Sequence, residues 1–162
     1  MHVDVFTLLR RDHEKVASLF KQIQRAFGQP DTPERHRLFQ QLKRELELHA
    51  QVEDLHVYRV FQQAESTRDE AAEALEAHRN IKTLLDELGA ARAYDHKWLP
   101  KFQDLQKHVE RHVALEENEM FAKADAVLTP QEAEELGAKV EAAKNDISRD
   151  APITEGGTPE EA

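Results

Sequence analysis

Hydrophobic residues recur every three or four positions along four long segments of the chain, at about residues 3–27, 33–63, 68–91 and 95–124. This spacing places one apolar stripe on each segment, as expected for amphipathic helices around a shared core. The stripes consist of Phe6, Leu9, Val16, Phe20, Ile23 and Phe27; Leu38, Leu42, Leu46 and Val60; Ala71, Leu75, Ile81, Leu85 and Leu88; and Phe102, Leu105, Val109 and Met120. The pattern therefore predicts four long helices.

Short stretches with glycine and proline separate the segments. Gly28 and Pro30 follow the first segment, and Pro100 fits only the first turn of the fourth. Thr129 and Pro130 are typical of the cap and first residue of a further, shorter helix. Because short loops join long helices as antiparallel neighbours, we predict an all-α, up-down-up-down antiparallel four-helix bundle with a short fifth C-terminal helix.

The domain organisation follows from the same pattern. Residues 1–147 are predicted to form one bundle domain, without an internal repeat. From residue 148 onward the sequence is rich in Pro, Gly, Thr and acidic residues and has no apolar periodicity. We therefore predict that residues 148–162 are a disordered acidic tail that the fold does not need.

Composition and charge exclude several classes of protein. The chain has no cysteine, which excludes disulfides, zinc–thiolate sites and iron–sulfur clusters. Its formal net charge of −10 would repel a phosphate backbone, so nucleic-acid binding is disfavoured. No stretch suits a membrane span or a signal peptide. We therefore expect a cytoplasmic protein, monomeric or weakly homodimeric, with neither nucleic acid nor membrane as partner.

A histidine interrupts each of the four apolar stripes. These residues are His13, His49, His78 and His112. Glu53 follows His49 by four residues, and Glu116 follows His112 by the same interval. Residues four apart share one face of a helix, so each of these pairs can reach a common site inside the bundle.

The six side chains are also predicted to lie at one height in the bundle. Counted from the connecting loops, candidates on neighbouring helices differ by on the order of 3 Å in height. A lone histidine on an apolar face is usually a hydrogen-bonded core residue, and a helical glutamate is usually solvated. Several buried, unpaired groups at one level would instead cost several kcal/mol. A metal removes this cost, since neutral imidazole and carboxylate are its natural ligands.

The ligand types indicate which metals fit. Imidazole and carboxylate without thiolate suit iron, manganese or zinc. Six ligands exceed the four that one tetrahedral zinc needs. Two metals bridged by Glu53 and Glu116 would use all six, and each would need solvent, oxygen or peroxide to complete its coordination.

At these residues the sequence resembles the hemerythrin-like, or HHE cation-binding, family. The resemblance covers about residues 4–145 and rests on Asp12-His13-Glu14, Glu45-Leu46-x-x-His49-x-x-x-Glu53, Ala77-His78 and His112-x-x-x-Glu116-Glu117-x-x-Met120-Phe121. It implies a hemerythrin-type bundle with two Fe ions in an oxo- or hydroxo-bridged centre, with Zn or Mn less favoured. The implied ligands are His13, His49, Glu53, His78, His112 and Glu116.

Two positions differ from the oxygen carriers of this family. Lys82 stands where a carrier has a second histidine on the third helix, and Glu116 follows His112 by four residues where a carrier has an aspartate at five. The resemblance then implies an open coordination position and a protein that binds or senses dioxygen, nitric oxide, peroxide or iron. The alternative is a di-iron enzyme with catalase- or peroxidase-type activity at the same site.

Other residues could complete the site. His56 lies nearer the centre of its stripe than His108 does, so we favour His56 as a seventh metal ligand, with a solvent-lining role as the alternative. Tyr58 could hydrogen-bond a bridging species, although such a tyrosine is more often a core residue. The remaining histidines are predicted to lie on the surface: His2, His36 and His96.

Two further classes of protein remain open. Glu53-x-x-His56 matches half of the ferritin-like carboxylate signature, but a second Glu-x-x-His is absent from the sequence. The second class is a helical bundle that acts by binding other molecules and whose metal is purely structural. Turnover of hydrogen peroxide would separate a binder from an enzyme, and rapid metal loss without unfolding would argue against a structural metal.

Overall fold

The computed structural model describes residues 3–28, 33–91 and 96–150. In these ranges the regular elements are all helical, and none of the helices is long and apolar enough to cross a membrane. In chain order they are α1 (Val5–Phe27), α2 (Pro33–Val52), the π-helical turn π1 (Glu53–Val57), α3 (Tyr58–Gln63), α4 (Arg68–Ala90), α5 (Trp98–Leu115), the π-helical turn π2 (Glu116–Met120), α6 (Phe121–Lys123), a 3₁₀ turn (Ala124–Ala126) and α7 (Pro130–Asp150).

Four helical columns form the bundle. They are α1, the continuous run from α2 through π1 to α3, then α4, and finally the run from α5 through π2 to α6. α1 packs against α2, and α4 packs against α5. α7 lies outside the four columns, against α1, α2 and π1. The predicted all-α bundle with a fifth C-terminal helix is confirmed.

The fifth helix is longer than the sequence pattern suggested. α7 continues to Asp150, so residues 148–150 are helical and do not belong to a disordered tail. The reason is that Ile147 still packs against the core, which supports another turn. The rest of the predicted tail, residues 151–162, lies outside the described residues, as does His2.

Buried apolar side chains form two clusters at opposite ends of the bundle. The first includes Phe20, Leu42, Leu85, Trp98 and Phe102. The second includes Leu9, Tyr58, Phe61, Met120 and Val140. His13 follows Leu9 of the second cluster and precedes Val16 of the first, and the other three columns make the same change from cluster to cluster. A polar layer therefore lies between two apolar cores. Each large apolar side chain in these cores contributes about 1.5–3 kcal/mol on burial.

Side-chain caps fix where α1 and α7 begin. The amide N–H of Thr7 donates to Asp4 Oδ1 over 3.0 Å at the start of α1. Before α7, the amide of Glu132 donates to Thr129 Oγ1 (3.1 Å), and the amide of Thr129 donates to Glu132 Oε1 (3.0 Å). This reciprocal capping box confirms the predicted cap at Thr129 and sets the start of the helix that covers α1 and α2.

We predict that Gly137→Ala destabilises the protein. Gly137 is in α7, and a Cβ atom there would lie 2.3 Å from the carbonyl oxygen of Val3, so α7 would have to move away from the start of α1. Overpacking of this kind costs about 1–3 kcal/mol. Urea unfolding of the variant should show this loss in the free energy of unfolding.

Gly89→Ala is the matched control. A Cβ atom at Gly89 would meet only the flexible side chain of Lys43, at 3.5 Å, and that of Phe39. Alanine is favoured over glycine in a helix by about 1 kcal/mol, so this variant should be neutral or more stable. Equal effects of the two substitutions would show that the close contact of α7 with α1 does not constrain the fold.

Candidate metal centre

Six buried polar side chains meet in the layer between the two apolar clusters. They are the four stripe histidines and two glutamates: His13, His49, His78, His112, Glu53 and Glu116. Glu53 and Glu116 are both 0% exposed. A buried carboxylate is costly unless a positive charge or a metal compensates it. The six residues that the sequence predicted to lie together do lie together.

The six side chains divide into two groups of three. We call them position A, formed by His13, His49 and Glu116, and position B, formed by Glu53, His78 and His112. Within each position, one ligand atom from every residue lies within 4.8 Å of the others. Each position thus offers two imidazoles and one carboxylate, drawn from three of the four helical columns.

Glu53 lies between the two positions. Its Oε1 atom is 2.6 Å from Nε2 of His49 in position A and 3.4 Å from Nε2 of His78 in position B. The first contact lacks hydrogen-bond geometry, since neither atom has a hydrogen-bond partner among the described residues. Two ligand atoms that lie close without bonding to each other are placed to share a cation.

Glu116 reaches both positions from the opposite side. Its Oε1 atom is 3.5 Å from Nε2 of His13, and its Oε2 atom is 3.2 Å from Nε2 of His112. Each carboxylate therefore contacts one histidine of each position. This is the arrangement that bridging glutamates require.

Several buried ligand atoms in the layer have no hydrogen-bond partner in the described part of the chain. They are His13 Nε2, His49 Nε2, both carboxylate oxygens of Glu53, and Glu116 Oε1. Each unpaired buried group of this kind costs about 1–3 kcal/mol or more. Cations that accept these lone pairs would remove the cost. The donor set, imidazole plus carboxylate, therefore fits a pair of divalent metal ions.

Three acidic side chains hold ligand histidines from outside. The pairs are His49 Nδ1 with Asp12 Oδ2 (2.8 Å), His13 Nδ1 with Glu117 Oε1 (3.1 Å) and His78 Nδ1 with Asp54 Oδ1 (2.7 Å). A ring that donates from Nδ1 to a carboxylate keeps its Nε2 lone pair for a metal. The sequence pattern did not reveal this role of the three acids, although each is adjacent in the chain to a predicted ligand.

The electrostatics of the layer favour positive charge. Burial disfavours a charged ring at His49, but the Glu53 carboxylate and the hydrogen bond to Asp12 outweigh it and raise the pKa of His49 to about 10. Burial likewise opposes charge on His112, whereas Glu116 and Glu53 raise its pKa to about 9. Burial alone would raise the pKa of Glu53, yet His49 holds that pKa well below the usual range. This is the charge balance of a cation site.

Each buried glutamate begins a π-helical turn. The amide of Tyr58 donates to the carbonyl of Glu53, and the amide of Phe121 donates to that of Glu116. In a π turn the hydrogen bond spans five residues, so residue i+5 returns to the face that residue i+4 takes in an α-helix. Tyr58, rather than His56, therefore shares the face of Glu53.

Tyr58 lies at position B. Its hydroxyl donates to Glu116 Oε2 over 2.6 Å and is 3.2 Å from Nε2 of both His78 and His112. Burial, followed by the nearby carboxylates, holds the pKa of Tyr58 well above its usual range. Its sequence pattern was more typical of a core residue than of a site residue, and the π turn brings the phenol into the site.

Among the described residues, the structure brings none of the other histidines to the six. His56, predicted as a seventh ligand, is half-buried and belongs to neither position, because π1 rotates it away. His108 is also half-buried, with Nε2 3.8 Å from Asp104 Oδ1. His36 and His96 are exposed, as predicted.

A small, mainly apolar cavity borders four of the ligands. Its volume is about 20 Å³, enough for about one water-sized molecule. It is lined by the four stripe histidines together with Val16, Leu46, Ala50, Ile81, Val109 and Val113. The four histidines therefore border a space with room for little more than one water molecule.

A helical bundle with paired, buried histidine and carboxylate ligands defines a class of cation-binding proteins. The family model of the Hemerythrin HHE cation binding domain matches residues 4–124, and the chain belongs to this family. It is therefore a metal-binding helical bundle, and α7 lies beyond the matched residues.

One similar solved structure is a Hemerythrin HHE cation binding domain-containing protein from Mycobacterium kansasii. The two chains are 26% identical, with a TM-score of 0.78, and the match covers 89% of this chain and 86% of that one. Comparison with curated proteins finds no match.

Proposed function

We propose that this protein is a non-haem di-iron protein that binds or senses a small ligand, namely dioxygen, nitric oxide, peroxide or iron itself. The supporting observation is the pairing of positions A and B across two shared, fully buried glutamates, beside a cavity of about 20 Å³. A bound iron pair would supply the redox chemistry and the coordination position for such a ligand.

The side chains of this chain have distinct tasks in the proposal. The histidines would present Nε2 to the metals, and outer carboxylates fix the tautomer and orientation of the His13, His49 and His78 rings. Glu53 and Glu116 neutralise positive charge at both positions. The apolar lining, with Ile81 and Val109 beside the histidines, keeps bulk water away and limits the size of what can bind.

An open coordination position is part of the proposal. Lys82 is one turn beyond His78 on α4, where an oxygen carrier would supply another imidazole. Its side chain is 65% exposed, and its ammonium donates to Asp86 Oδ2 over 3.1 Å. Lys82 and His78 also line a surface groove of about 520 Å³ beside α2 and α4. The groove gives a small ligand a route toward position B.

A second candidate is an enzyme that decomposes hydrogen peroxide at the same site. Tyr58 favours it, since a buried hydroxyl that donates to a bridging carboxylate can deliver a proton beside the metals. Repeated oxygen release from excess peroxide, lowered in kcat by Tyr58→Phe with iron content retained, would support the enzyme. A reaction that stops after one equivalent would support the binder.

Freshly purified protein is predicted to contain about two irons per chain, because positions A and B each have three donors. Elemental analysis and the absorption spectrum measure this together. Two irons with a near-ultraviolet charge-transfer band are expected. A single zinc without such a band would refute the di-iron proposal.

We predict that Glu53→Ala and Glu116→Ala each lose at least one metal per chain, because each carboxylate reaches both positions. His36→Ala and His96→Ala, at exposed positions, are the matched controls and should retain all the metal. His56→Ala should retain it too. Equal metal content in all five variants would contradict the assigned ligands.

Lys82→His is predicted to slow the reaction of the loaded protein with azide or peroxide and to shift its absorption spectrum. The new imidazole would fill the position that we propose is open. Arg79→His is the control, because Arg79 lines the same groove and its side chain is 71% exposed. If Lys82→His behaves like this control, there is no open position at that point.

A further inference from the structure

Positions A and B have related surroundings. In each half of the site, the acid that directly follows a bridging glutamate holds a histidine on another helix. Asp54 follows Glu53 and holds His78 of position B, and Glu117 follows Glu116 and holds His13 of position A. Position A and position B thus each have one histidine braced in the same way.

The second histidine of position A has a brace of its own. Asp12, which directly precedes His13, accepts from Nδ1 of His49 at 2.8 Å. Lys144 of α7 forms an ion pair with the same carboxylate. The ring of His49 is thus held by an acid that is itself held by the fifth helix.

The second histidine of position B lacks such a brace. Asp12 directly precedes His13, and the residue that directly precedes His78 is Ala77. The methyl group of Ala77 cannot accept a hydrogen bond. Consistent with this, Nδ1 of His112 is buried and has no hydrogen-bond partner in the parts of the chain that the structure describes. Unlike the ring of His49, the ring of His112 has no partner at Nδ1 among the described residues that would fix its tautomer and orientation.

We propose that the two metal positions are unequal: position A would hold its metal more tightly, and position B is where metal would exchange. This inference rests on the proposed dinuclear function and adds a direction to it. An imidazole that donates to a carboxylate is a more basic and better oriented ligand, and losing such a partner typically weakens metal binding 10–100-fold. The missing brace at His112 therefore weakens position B.

Access from the surface agrees with this assignment. The groove that includes His78 and Asp54, at position B, has a volume of about 520 Å³. The groove that includes His13 and Glu117, at position A, has a volume of about 320 Å³. The position whose histidine lacks an Nδ1 partner is thus also the one beside the groove of larger volume.

The test follows iron release. Full-length protein loaded anaerobically with two ferrous ions is mixed with an excess of a chromogenic ferrous chelator. We expect two kinetic phases of one iron each. Ala77→Asp, which supplies His112 with the missing carboxylate, should slow the fast phase about tenfold or more. Asp12→Asn should accelerate the slow phase by a similar factor.

Controls separate this inference from other effects. Glu14→Gln, at an exposed position on the other side of His13, should change neither phase. The Tyr58 hydroxyl also lies at position B and could itself affect iron release there. Ala77→Asp is therefore repeated in a Tyr58→Phe background, where it should still slow the fast phase.

The outcomes are distinguishable. Wild-type protein that binds fewer than two metals refutes the dinuclear function itself. Two irons that leave in a single phase overturn only the inequality of the positions. The inequality is also overturned if Asp12→Asn accelerates the fast phase instead of the slow one. This second result does not depend on whether the Ala77→Asp variant folds.

Discussion

The structure depends on balancing the charge of two carboxylates in a buried layer between two apolar cores. Glu53 and Glu116 are fully buried, and a buried ion carries a penalty of several kcal/mol unless it is paired. Four imidazoles surround them, yet several ligand atoms remain without hydrogen bonds in the described residues. The layer is complete only when positive charge occupies it, which couples the stability of the bundle to cation binding.

Two features of the helices bring the site residues together: four-residue spacing and π turns. The four-residue spacing puts His49 and Glu53 on one face, and a π turn directly after the glutamate then brings Tyr58 back to the same side. π turns of this kind are frequent at functional sites, and here one begins at each buried carboxylate. The change in helix type is therefore part of how the site is built.

Membership of the hemerythrin HHE family accounts for the metal-binding bundle, and contacts of individual side chains around the six ligands complete it. Lys82 points to solvent and pairs with Asp86, and α7 reaches back through Lys144 to Asp12. Positions A and B have the same ligand types, two histidines and one glutamate. They differ in the groups that hold those histidines at Nδ1. This difference is where the metal affinities of the two positions can diverge.

The sequence alone determined the helices, their order and the six residues that meet, because apolar periodicity and four-residue spacing are local properties of a helix. Even the height of the ligands followed from counting residues to the loops. Only the tertiary structure decided how the six divide into positions A and B, and which acids hold the rings. It also showed that Tyr58, and not His56, contacts the site. The physical reason is that a π turn shifts the face of every later residue in its helical column. A pattern that assumes 3.6 residues per turn cannot contain that shift.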